Sequence, residues 1–162
     1  MRYEWQCNRG YFKSQTVVTL FRFAQYLRNG PSIISKTIYP PFYVFYKIVV
    51  EWVIGIELPP STRVGRGLRI RHGIGIVVNP RAIIGEDVTI RQNVTIGNRH
   101  RDDDCPKIGN NVELGAGAIL IGAITVGSNA KIGAGAVVVF DVPESGVTIP
   151  ARAKLKVSGH DK

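Results

Sequence analysis

From Leu58 to Val142 an aliphatic side chain returns every six positions. In the second half the run is unbroken, through Ile108, Leu114, Leu120, Val126, Ile132 and Val138. Four residues after each sits a small or branched partner: Val112, Ala118, Ile124, Ala130, Ala136 and Val142. Glycine often follows the aliphatic directly, as at Gly109, Gly115, Gly127 and Gly133. Ile84, Ile90 and Ile96 keep the same phase, with Val88, Val94 and His100 at the fourth place. Leu58, Val64, Ile70 and Ile76 are displaced by two, which predicts a two-residue insertion within 77–83.

A period of six fits neither an amphipathic helix nor a lone strand. It fits hexapeptide β-helix repeats, in which each repeat supplies one short strand and one corner and three repeats close a triangular coil. A β-sandwich would need turn signals every 8 to 12 residues and no fixed phase. The expected fold is a mainly β parallel β-helix over 57–143, followed by a basic tail at 144–162. A polar stretch at 97–107, Gly97 to Lys107, replaces one regular hexad, and function concentrates in such excursions from a rigid scaffold. The pattern does not define the hand of the coil.

Residues 1–56 follow a different rule, a helical extension. Val17, Leu20, Phe21, Ala24 and Leu27 form an apolar stripe on a helix expected over Thr16 to Arg28, ended by Asn29-Gly30-Pro31. The segment from Pro41 to Ile56 is almost wholly apolar, relieved by Lys47 and Glu51, and is too short and interrupted to span a bilayer comfortably. Two expectations stay open for it. It packs on the β-helix or a neighbouring subunit, or it lies at a membrane surface with Tyr39, Phe42, Tyr43, Phe45, Tyr46 and Trp52 in the interface.

The chain has 162 residues, 44% of them hydrophobic, enough for one cored domain plus an extension. Its two cysteines, Cys7 and Cys105, do not make a disulfide framework, and the first residues lack a signal-peptide core. A cytoplasmic location is expected, with the inner face of a membrane as its refinement. The 21 basic and 12 acidic residues leave +9, with Arg63, Arg66, Arg69 and Arg71 crowding the first coils. Such a field suits a phosphate-bearing ligand or an anionic surface. Nucleic acid is disfavoured, because no aromatic-studded basic strand or recognition helix accompanies the charge.

The repeats, the segment Gly67-Leu-Arg-Ile-Arg-His72-Gly-Ile-Gly-Ile-Val-Val78, the break before Pro106-Lys107-Ile108-Gly109, and Ile149-Pro150-Ala151-Arg152 together resemble hexapeptide-repeat acyltransferases. Within them the chain is most similar to the serine acetyltransferase group, and there to the short colanic-acid and exopolysaccharide type. The resemblance implies a left-handed β-helix, a homotrimer, acetyl-CoA as co-substrate and no metal. It implies His72 as general base and Glu57 as the carboxylate that pairs with it. Asn98, Ala116, Lys131, Ala134, Arg152 and Lys154 fall where the coenzyme is bound. Arg71, His100, Asp104 and Cys105 fall where the acceptor is held. For Cys105 packing in the loop, and for His100 plain solvation, stand beside that role.

The chemistry agrees independently, since acetyl transfer to an alcohol needs a base for the hydroxyl proton and a donor for the oxyanion. Two departures bear on the acceptor. Arg71 stands where serine acetyltransferases carry aspartate, and Asp104-Cys105 where they carry arginine-histidine. Both changes invert the charge that an amino acid's ammonium and carboxylate would meet. A sugar hydroxyl, free or lipid-linked, is therefore the expected acceptor and L-serine the alternative. A zinc hydrolyase on the same fold would need three histidines, for which only His72, His100 and His160 exist. A non-catalytic scaffold would not depend on His72 at all.

Overall fold

The computed structural model describes residues 2–151; Arg152, Lys154 and His160 lie outside the described residues. Three helical segments come first: α1 (Arg2–Cys7), α2 (Phe12–Asn29) and α3 (Ile33–Tyr46), which runs on into a π-helical turn, Lys47–Val53. Among the described residues fourteen short strands follow, all paired in parallel, in five coils stacked as a triangular prism. The first face holds β1 (Ile56–Glu57), β4 (Ile76–Val78), β7 (Thr95–Gly97), β10 (Ile119–Ile121) and β13 (Val137–Val138). The second holds β2 (Arg63–Val64), β5 (Ile83–Ile84), β8 (Lys107–Ile108) and β11 (Thr125–Val126). The third holds β3 (Arg69–Arg71), β6 (Thr89–Arg91), β9 (Glu113–Leu114), β12 (Lys131–Ile132) and β14 (Val147–Thr148).

The hexad aliphatics fill the prism. Val78, Ile96, Leu120 and Val138 are in register on the first face, all buried. The insertion, however, lies in the corner after Arg71, not within 77–83. Arg71 pairs with Arg91 and Val77 with Thr95, so six steps separate the strands here where four serve in the next coil. Ile76 therefore sits in the second inward place, stacked on Ile56, and Val78 takes the first. The extra two residues enlarge the corner that carries His72.

Regular corners that leave the second and third faces turn through a left-handed residue three places after the aliphatic. Asp87, Asn93, Asn111 and Asn129 do so at φ between 53 and 62, and Gly117 and Gly135 at 68 and 72. The glycines directly after the aliphatic answer another demand, the approach of the next coil. A Cβ on Gly115 would stand 2.5 Å from the backbone nitrogen of Ala134. Gly115→Ala is expected to cost about 2 kcal/mol by overpacking. Read by thermal unfolding, that is a fall of roughly 4–8 °C for a chain of this size. An unchanged melting temperature would contradict the close approach.

The helices close the open end of the first coil, whose strand edges would otherwise present unpaired carbonyls. Asn8, fully buried, donates from Nδ2 to the Leu68 carbonyl (2.8 Å) and accepts from the Ile70 amide (3.0 Å). Arg22 donates to the carbonyls of Val64 and Gly65, and Gln25 to that of Thr62. The Tyr46 hydroxyl donates to the Leu58 carbonyl at 2.6 Å, and burial pushes that phenol's pKa far up. Both long helices begin earlier than their apolar stripes indicate. α3 starts at Ile33, capped by the Ser32 hydroxyl, and continues through Pro40 and Pro41. The two prolines remove donors to the carbonyls of Lys36 and Thr37, both exposed residues, so water can serve there.

Candidate active site

His72 stands on the edge between the third and first faces. Its φ of 54 is uncommon for a residue with a side chain, although histidine tolerates it better than most. The extra corner length holds it there, exposed, with Gly75 at the regular left-handed place (φ 64). The same edge carries Gln92, Ala116 and Ala134, each two places after a third-face aliphatic. Backbone bonds tie the column: Asn93 N to Ile74 O (2.9 Å), Gly117 N to Gln92 O (2.9 Å) and Gly135 N to Ala116 O (2.8 Å). From His72 to Ala134 is three coil steps, about 14 Å at the usual strand spacing. Gln92 was not singled out from sequence, yet its Oε1 is buried with no partner in this column.

Glu57 lies on β1 with its side chain exposed on the first face, in the outward row of Val77, Thr95, Ile119 and Val137. The His72 corner rests against the start of that strand, Gly75 donating to the Gly55 carbonyl at 2.7 Å. The corner that carries His72 thus adjoins the strand that carries Glu57. Among the described residues they make no hydrogen bond with one another.

Arg71 faces the N-terminal segment. Its Nη2 donates to the Cys7 carbonyl at 2.9 Å, and its guanidinium lies 4.5 Å from the centre of the Tyr11 ring. Nη1 is buried and lacks a partner. Tyr11 in turn meets the His72 ring edge-on at 5.8 Å. Tyr11 was missed in the sequence, because nothing in its spacing connects it to a corner sixty residues away.

Loop 97–107 leaves from another edge, between the first and second faces. Asn98 starts it, its Oδ1 accepting from Asn79 Nδ2 at 3.1 Å. His100 is exposed and Asp104 half-buried. Cys105 is 6% exposed, and its thiol donates to the Asp102 carbonyl at 3.4 Å. Burial pushes that thiol's pKa up, the neighbouring aspartates add to the rise, and Arg81 opposes it. This is the behaviour of a packed thiol, not of a nucleophile. Lys131 is exposed on the third face, in register with Glu113 and Val147. One chain therefore gathers His72, Ala116 and Ala134 on one edge and places Asn98, His100, Asp104 and Cys105 on a different one.

A hexapeptide coil with a histidine on an enlarged corner and a column of small residues beside it defines the class of hexapeptide-repeat transferases. Residues 105–139 match the family described as bacterial transferase hexapeptide (six repeats). The chain is 44% identical over 118 residues to WcaB of Escherichia coli (strain K12), named for colanic acid biosynthesis as an acetyltransferase; this covers 72% of the chain and 73% of that protein. It is 43% identical over 108 residues to the serine acetyltransferase of Helicobacter pylori (strain J99), covering 65% of the chain and 63% of that protein. The solved serine acetyltransferase of Brucella abortus strain S19 in complex with coenzyme A superposes with a TM-score of 0.77 at 29% identity, over 93% of this chain and 64% of that one. The chain thus spans somewhat less than two thirds of the length of these serine acetyltransferases. It belongs to the hexapeptide-repeat acetyltransferases of the serine acetyltransferase group, and its solenoid is their left-handed parallel β-helix.

Proposed function

We propose that the protein transfers the acetyl group of acetyl-CoA to a sugar hydroxyl in bacterial exopolysaccharide or capsule assembly. The observation that carries this is the edge on which His72 stands in line with Gln92, Ala116 and Ala134. The small residues leave room for the pantetheine arm to run along the coil and bring the thioester to His72. The imidazole takes the proton of the acceptor hydroxyl as that oxygen attacks the thioester carbon. The tetrahedral intermediate then collapses, the carbon–sulfur bond breaks, and the imidazolium returns the proton to the departing thiolate. Glu57 favours the imidazolium by its charge. The backbone amide near Asn98 serves the oxyanion. Lys131, with Arg152 and Lys154 of the tail, meets the coenzyme's phosphates.

Because the loop residues and His72 occupy different edges, a complete site needs the loop edge of one copy beside the His72 edge of another. A homotrimer of parallel prisms supplies that arrangement three times. The acceptor follows from charge: Arg71 and Asp104 present the wrong signs to a free amino acid. Serine is the second reading, supported by the Helicobacter pylori and Brucella abortus similarities. No described helix is long and apolar enough to cross a membrane. Peripheral contact with the inner membrane face is supported by the exposed row Ile34, Ile38, Phe45, Ile48 and Trp52 on α3 and the turn after it.

The deciding experiment is coenzyme A release from acetyl-CoA with L-serine, free sugars and nucleotide sugars offered side by side. Turnover with a sugar and not with serine is expected. Turnover with serine alone would replace this reading with O-acetylserine synthesis.

A further inference from the structure

We infer that the second face carries a binding cleft for the diphosphate of the sugar acceptor, formed by Arg28, Arg63, Arg81 and Lys107. Two adjoining clefts of about 530 and 380 Å³ lie there and share Ser61 and Arg63. Arg28 enters from the end of α2, Arg81 from the corner before β5, and Lys107 from β8 at the end of the loop. Arg63 and Lys107 are in one outward row with Ile83 between them, about 10 Å apart at two strand spacings.

These four cations are gathered around two adjoining clefts. Arg22, Arg66, Arg69 and Arg101 each pair with a carboxylate. Among the described residues none of the four in the cleft does, and the acid that lines it, Asp103, is engaged by Arg101 at 3.5 Å. Like charges gathered without a counter-charge repel one another, and an anionic ligand relieves the repulsion. Arginine forks also match phosphate oxygens with two parallel bonds. The clefts are of small-molecule size, which suits a diphosphate with its sugar rather than a polymer.

Within one chain the second face lies opposite the His72 edge, so this cleft is separate from that chain's own column for the coenzyme. The loop, through Asp103, Cys105 and Lys107, forms its wall. The inference rests on the sugar-acceptor reading for its meaning, but it is tested by binding alone. The intact protein is titrated calorimetrically with uridine 5′-diphosphate, geranyl diphosphate and coenzyme A. Binding of a diphosphate is expected, weakened at least tenfold in Arg63→Gln/Arg81→Gln and in Lys107→Gln, with coenzyme A affinity changed less than twofold. Preference for the uridine compound identifies a nucleotide-borne acceptor, and preference for the geranyl compound a lipid-borne one. Arg66→Gln, which removes a surface charge already paired with Glu86, is the control and leaves binding unchanged. The Lys107→Gln variant alone decides the matter where the double variant does not fold. Absence of diphosphate binding, or equal binding by the variants, would overturn the inference. So would loss of coenzyme A affinity in the variants, since the cleft would then belong to the coenzyme. Failure to acetylate any sugar would sink the proposed function while leaving these titrations intact.

Discussion

Replacing His72 is expected to slow acetyl transfer by about 10²–10⁴-fold, the usual contribution of a positioned general base. The substitution needs care, because the residue sits at φ 54. Alanine is strained in that conformation, whereas asparagine adopts it readily. His72→Asn therefore separates lost chemistry from a distorted corner. The imidazole lies at the end of the column, two coils from Ala116, so KM for acetyl-CoA is expected to stay within about threefold of the wild-type value while kcat collapses. Glu57→Gln keeps the shape of the side chain and removes its charge. Its effect is expected to be smaller, since Glu57 lies on the strand beside the His72 corner and makes no hydrogen bond to His72 among the described residues. Steady-state kinetics with the sugar that supports turnover reads all three quantities. If His72→Asn retained more than a tenth of wild-type kcat, the base would have to be sought elsewhere, and a non-catalytic role for this histidine would return.

The period of six carried most of the fold, since every coil needs an inward aliphatic at a fixed interval. The misplaced insertion shows where that rule loses information. A coil has two inward places per hexad, and in the first coils both are filled by large aliphatics: Ile56 with Leu58, and Leu68 with Ile70. Ile76 therefore continued the Leu58 series at the right spacing while belonging to the other column. Later coils fill the second place with alanine at Ala118, Ala130 and Ala136, and there the phase is unambiguous. Much of the candidate site was equally legible, since His72, Ala116 and Ala134 all stand two places after a third-face aliphatic. The division of the site between two edges was not, because it depends on which corner the extra loop leaves from and how copies pack. Tyr11, Cys7 and Asn8 were illegible for a different reason. They act through backbone carbonyls and ring faces, and neither type of partner leaves a pattern in the chain.

The largest stability effect is expected at Arg22. Its guanidinium bonds the Glu4 carboxylate, Gln25 Oε1 and the carbonyls of Val64 and Gly65 at once. Its side chain is 16% exposed and that of Glu4 6%, so this ion pair is largely shielded from water. Exposed pairs contribute little, but removing one partner of a buried pair typically costs about 3–5 kcal/mol. The two carbonyls also belong to the end of β2 and its corner, the edge that α2 covers. Loss of their donors opens the end of a stack in which each coil is held mainly by its neighbours. Arg22→Ala is accordingly expected to destabilise by about 3 kcal/mol. At fixed protein concentration that lowers the melting temperature by roughly 6–12 °C. Arg22→Lys retains the charge, yet an ammonium cannot hold a carboxylate and two divergent carbonyls in one plane, so it is expected to recover less than half of the loss. Thermal unfolding followed by circular dichroism tests both. A shift below about 2 °C for Arg22→Ala would mean that apolar packing of Val17, Phe21 and Ala24 on the first coil suffices to cap it. The polar bonds of Arg22 would then serve only to set the register of α2 against the solenoid.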